Sequence, residues 1–134
     1  MATNKQFLKA LEERQQFGQL DPILIMNTAK AAGEKLSRED IKNHQLRRFF
    51  EAIKGIERHI TTGRTESREL SQDAIAELVF LKPHLINAGK RQKSKEFERF
   101  TQFVEEMLQP EYFKNSQDLK RFIQFFEAVI AYHS

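Results

Sequence analysis

The four histidines, at positions 44, 59, 84 and 133, are the first residues to weigh for metal or proton chemistry. They are scattered without metal-ligand spacing, and none forms the HExxH pair that turns two imidazoles toward one metal from a single helix. Asp40 and His44 stand at i, i+4, but two ligands rarely hold a metal alone. The neighbouring acids Glu105 and Glu106 point about 100° apart on a helix, the wrong disposition for paired acid–base work across one bond. The five glycines are never closer than eight residues apart, so no glycine loop can cradle a phosphate, and no serine sits between glycines. The absence of cysteine removes disulfides, thiolate chemistry and zinc-thiolate sites together. No catalytic, cofactor-binding or metal-binding residue is assigned.

One enzyme-like pattern remains. Arg38 and His44 fit the four-to-six-residue separation of Arg and His in the small helical ribonucleases of the HEPN superfamily. In such an enzyme the imidazole moves a proton during attack by the 2′-hydroxyl and the guanidinium steadies the phosphate charge. With 22 basic residues and four histidines, a chance match of this kind is expected.

The richer chemistry is cationic. In Gln45 to Ile60, QLRRFFEAIKGIERHI, the residues Leu46, Phe49, Phe50, Ile53, Ile56 and Ile60 recur every three or four positions and define one side of a helix. Arg47, Lys54 and Arg58 stand at i, i+7 and i+11, within about 40° of one another, on a face that the apolar stripe leaves free. That face suits a polyanion or a solvated surface on which Arg47 and Lys54 pair with Glu51. The net charge is only +3, but it is unevenly spread. Residues 42–64 and 82–99 each hold six basic against two acidic side chains, net +4, whereas 65–81 and 100–118 each hold one against four, net −3. Such blocks raise the local potential that a polyanion meets, and nucleic acid is the first partner they suggest.

The elements that must position these side chains are helical. A chain of 134 residues suits one domain able to bury about two thirds of its unfolded surface. Twelve phenylalanines without a tryptophan point to a phenylalanine-rich interior. No run approaches the length of a membrane span and MATNKQFLKA lacks a signal-peptide core, so a cytoplasmic protein is expected. Asn4 caps a first helix bearing Phe7, Leu8 and Leu11, with Gly18 as its stop. Asp21–Pro22 starts a second, whose Leu24, Ile25, Thr28, Ala29, Ala32 and Leu36 form an apolar face weakened by Gly33, the small alanines suggesting a close helix contact. The basic helix begins either at a Ser37/Asp40 capping box or at Asn43. Residues 61–70 form a flexible connection. Ser71 caps the next helix, Pro83 bends or divides it, and Ser94 caps another that ends at Gln109–Pro110, leaving Lys90 to Lys95 in a polar run. The last helix starts near Ser116 and reads as core through Leu119, Phe122, Ile123, Phe126 and Val129. No strand pattern and no repeat appears. The expected fold is an all-α, single-domain bundle of about five helices over residues 1–134, with the first 40 residues the least distinctive.

Three segments, QLRRFFEAIKGI at 45–56, LVFLKPHLINAGKR at 78–91 and FIQFFEAVIAYH at 122–133, resemble in order and spacing the signature blocks of the small subunit of type III-A CRISPR effector (Csm) complexes. The resemblance implies a non-catalytic helical subunit that stacks in several copies along a filament of backbone subunits, with guide and target RNA in the groove between them. It implies further partners in the backbone and large subunits, self-association in the filament or as a homodimer, no membrane and no cofactor. Holding RNA requires phosphate contacts without sequence information, and the candidates are Arg47, Arg48, Lys54, Arg58, Lys82, Lys90 and Arg91. A helical protein–protein adaptor, whose basic blocks meet an acidic partner, is the other reading of the same surface.

Overall fold

The computed structural model describes residues 2–38, 43–61, 69–92 and 94–133. These residues form seven α-helices: α1 (Ala2–Arg14), α2 (Pro22–Arg38), α3 (Asn43–Thr61), α4 (Gln72–Val79), α5 (Leu81–Gln92), α6 (Lys95–Met107) and α7 (Ser116–His133). Short 3-10 turns at Phe17–Gln19 and Pro110–Tyr112 precede α2 and α7. No strand occurs among the described residues. An isolated antiparallel bridge joins Glu69 to Asn115, with Leu70 N–H donating to the Lys114 carbonyl over 2.8 Å. The all-α reading therefore holds, with seven helices among the described residues against about five expected, the helix begun at Ser71 being divided in two at Phe80.

Local chemistry explains most boundaries. Asp21 Oδ1 accepts from Ile23 N–H at 2.9 Å, and Pro22, which has no N–H to leave unpaired, opens α2. Ser71 Oγ accepts from Ala74 N–H and Ser94 Oγ from Phe97 N–H, capping α4 and α6 as expected. Pro83 falls in the first turn of α5, where no intrahelical donor is needed, so the division of the helix lies just ahead of it, at Phe80.

Four expectations are corrected. Asn4 is not a cap, because α1 already begins at Ala2. Gly18 is not its stop: Gln15 turns the chain with φ 60°, its N–H reaching back to the Leu11 carbonyl at 2.8 Å, and Gly18 lies in the following 3-10 turn. Ser37 lies in the last turn of α2 and so does not cap α3, which among the described residues begins at Asn43. Lys90 and Arg91 occupy the last turn of α5, where cations complement the negative end of the helix dipole, and not a loop. Residues 62–68 of the connection expected at 61–70 lie outside the described residues.

The buried apolar side chains form one continuous cluster drawn from every helix except α4's outer turns, α7 lying at its centre. Phe7, Phe17, Phe97, Phe113, Phe122, Phe125 and Phe126 are almost completely removed from water. Most of their rings meet edge-on: Phe7 with Phe17 and Phe103 at 5.7 and 5.6 Å, Phe122 with Phe17 and Phe113 at 5.5 Å. Such pairs add about 0.5–1.5 kcal/mol each beyond the area they bury. Phe7 and Leu11 anchor α1 in this cluster, so the least distinctive part of the sequence is built into the core.

A candidate nucleic-acid interface on α3 and α5

The apolar stripe of α3 is buried through Leu46, Phe49, Ile53 and Ile56. Its inward Phe49 and Ile53 meet Leu81 and Leu85 of α5 around a small void closed by Val104, Leu108, Phe122 and Phe126. The two basic helices are therefore neighbours at one part of the core, although α3 packs mainly on α7 and α5 mainly on α6. Each turns its cations outward because the opposite face is committed to packing.

On α3, Arg47, Arg48 and Arg58 are exposed and Lys54 is half-buried. Lys54 Nζ pairs with Glu57 Oε1 at 3.0 Å, one turn ahead, in place of the Glu51 pairing suggested by the sequence. This partly exposed i, i+3 pair contributes a few tenths of a kcal/mol and leaves most of the lysine's charge available. The Arg58 guanidinium folds back over Gly55, 3.9 Å from where a Cβ would stand. Arg48 projects about 100° away from Arg47 around the helix, so it does not join the stripe formed by Arg47, Lys54 and Arg58.

On α5, Lys90 and Arg91 are exposed and make no ion pair among the described residues, while half-buried Lys82 donates to Gln109 Oε1 at 3.4 Å. The exposed side of this helix is Pro83, His84, Ile86, Asn87, Lys90 and Arg91. From Leu81 to Gln92 it contains no acidic residue. Two clefts among the described residues lie elsewhere. One of about 290 Å³ between α1, α2 and α6 and another of about 540 Å³ between α2 and α7 are lined by none of the seven predicted cations.

The enzyme-like Arg38/His44 pattern falls partly outside the described residues. Arg38 is exposed at the end of α2, whereas Asp40 and the side chain of His44 lie outside the described residues. Among the described residues no three His, Asp or Glu side chains come together as metal ligands. The Tyr112 phenol is raised above its ordinary pKa, first by burial and then by the carboxylates of Glu111 and Glu12, and it sits on the turn before α7.

Two residues that matter were not singled out by sequence pattern. Asp118 is fully buried, yet it belongs to the acidic block 100–118. Its carboxylate accepts from the N–H groups of Gly18, Lys114 and Asn115 at 2.6, 2.7 and 3.0 Å, and from Gln16 Nε2 at 3.3 Å. Asn115 Oδ1 in turn accepts from Asp118 N–H at 3.2 Å, a reciprocal capping box at the start of α7 whose N-x-x-D spacing was visible in the sequence. Phe80 is the other. It stands in the chain among the apolar Leu78, Val79 and Leu81, but it is 69% exposed.

The exposed cations of α3 and α5 thus lie outside the two larger clefts described in this all-helical chain. The chain belongs to the Csm2 type III-A family, whose family model matches residues 19–134, and it is thus a small subunit of the type III-A Csm complex. No curated protein and no solved structure matches it. No helix among the described residues is long and apolar enough to cross a membrane.

Proposed function

We propose that the chain is a non-catalytic small subunit that stacks along the backbone filament of a cytoplasmic type III-A complex and holds the target RNA through its sugar-phosphate backbone. Arg47, Lys54 and Arg58 on α3 and Lys82, Lys90 and Arg91 on α5 supply the contacts, with Arg48 reaching a separate path. The observation that carries this reading is the outer side of α5, which exposes Lys90 and Arg91 and has no acidic residue of its own, together with the exposed arginines of α3. Cations at these positions recognise phosphate oxygens whatever the base sequence, as a guide-directed complex requires.

The test is incorporation of an R47E/K54E/R58E variant into the complex. Target RNA should bind at least tenfold more weakly, and each phosphate contact removed should flatten the salt dependence by about 0.7 in log–log slope. Unchanged affinity and slope would place the RNA on another surface. Metal-independent RNA cleavage by the isolated protein, lost in His44→Ala, would instead establish the ribonuclease reading.

A further inference from the structure

Phe80 breaks the rule followed by the rest of the phenylalanines. Eleven of the twelve are buried or half-buried, whereas Phe80 leaves 69% of its surface in water. Its backbone is not loose. Phe80 keeps right-handed helical angles, φ −67° and ψ −9°, and its N–H bonds the Ala76 carbonyl at 2.9 Å, with α5 starting at the next residue. The ring is thus held on a firm junction and presented outward. Beyond it runs the exposed side of α5, with Pro83, His84, Asn87, Lys90 and Arg91, and no acidic side chain for the helix's full length. The nearest preceding acid along the chain, Glu77, lies one turn earlier on α4, on the far side of the junction from Lys90 and Arg91.

A flat apolar ring at one end of a helix that carries cations and no acid of its own complements single-stranded RNA. Nucleobases offer π-faces to stack on an aromatic side chain, and the linking phosphates need cations farther along. Phe80 to Arg91 spans about 16 Å, enough for a short single-stranded stretch. We propose that Phe80 is a base-stacking platform and that α5 carries the strand away from it toward Lys90 and Arg91. This deepens, and rests on, the reading of the chain as an RNA-binding subunit.

The experiment compares the full-length parent with Phe80→Ala, Phe80→Trp and Lys90→Gln/Arg91→Gln proteins, using a short single-stranded RNA carrying 2-aminopurine and a matched oligonucleotide with abasic positions. Since Phe80 is exposed, the melting temperature of each variant should match the parent. Phe80→Ala should weaken binding of the RNA about tenfold. It should abolish 2-aminopurine quenching, leave abasic binding and the salt slope unchanged, and be rescued by Phe80→Trp. The Lys90→Gln/Arg91→Gln protein should lose affinity for both oligonucleotides and show a shallower slope. If Phe80→Ala binds RNA like the parent while the charge variant does not, the stacking role is wrong and the RNA reading survives. The same retained affinity with failed incorporation into the complex would identify Phe80 as a protein contact, which also overturns stacking. If the parent binds neither oligonucleotide, alone or in the complex, the RNA reading itself falls.

Discussion

Where α2 meets α7, a Cβ on Gly33 would stand 2.6 Å from the Val129 carbonyl oxygen and 2.9 Å from Tyr132 Cβ; on α3, a Cβ on Gly55 would meet only the Arg58 guanidinium, at 3.9 Å. The same residue type therefore serves backbone approach at one place and meets open surface at the other. The α2–α7 seam, closed at its end by the Asp118 hydrogen bonds, fixes the fold with contacts that leave no room for change. The outer faces of α3 and α5 are held from behind by Phe49, Ile53, Leu81 and Leu85, so their outward residues can vary without disturbing packing. The proposed RNA contacts thus lie on outward faces, apart from the contacts that hold the core.

The sharpest way to break this comparison is at Asp118. Asp118→Ala leaves the Gly18, Lys114 and Asn115 N–H groups without their shared acceptor in a buried site, and should lower unfolding free energy by about 3 kcal/mol or more in denaturant titration. A loss below about 1 kcal/mol would mean that water replaces the carboxylate and that the seam is softer than its geometry implies. Gly33→Ala comes next. Helix propensity alone favours alanine by about 1 kcal/mol, but the methyl group must push α7 away, and overpacking of this kind costs about 1–3 kcal/mol. A net loss of stability is expected, with Gly89→Ala behaving alike because its Cβ would fall 2.6 Å from Thr101 Oγ1 on α6. Neither change should alter the salt dependence of RNA binding by the folded protein.

These two regions also differ in how far the sequence discloses them. Caps at Ser71 and Ser94 and the Asp21–Pro22 start are local chemistry, readable from a few neighbouring residues, and they stand where expected. The exposure of the α3 cations followed from periodicity as well. What periodicity does not contain is the partner across the seam. Gly33 reads as a weak point in a helix until α7 is placed against it, and Asp118 reads as one more surface acid until the Phe17–Gln19 turn brings Gly18 to its carboxylate. Gln15 stops α1 in a left-handed conformation that glycine or asparagine would have signalled. Lys54 chose Glu57 over Glu51 because both lie three residues away, and side-chain direction, not spacing, decides between them.

A smaller test lies within the seam helix itself. The Thr28 hydroxyl is fully buried on α2 and finds no hydrogen-bond partner among the described residues. Thr28→Val keeps the branched shape while removing the unpaired oxygen, and should raise unfolding free energy by about 1 kcal/mol. A loss of stability would reveal a water or a residue outside the described set completing that bond, and would add a second polar anchor to the seam beside Asp118.

Gly55 gives the smallest effect and the most discriminating one. A mid-helix glycine costs about 0.5–1 kcal/mol relative to alanine, and a methyl group here meets Arg58 only at an ordinary van der Waals distance. Gly55→Ala should therefore stabilise the protein by that amount, the opposite sign from Gly33→Ala. Its effect on RNA is the sharper measurement. If phosphates are held only by the cation tips of α3, affinity stays at the parent value as stability rises. If the strand lies directly against the helix backbone beside Arg58, the added methyl group keeps it away and affinity falls even as the protein becomes harder to unfold. That outcome would give Gly55 a close-approach role like that of Gly33, with RNA in the place of α7.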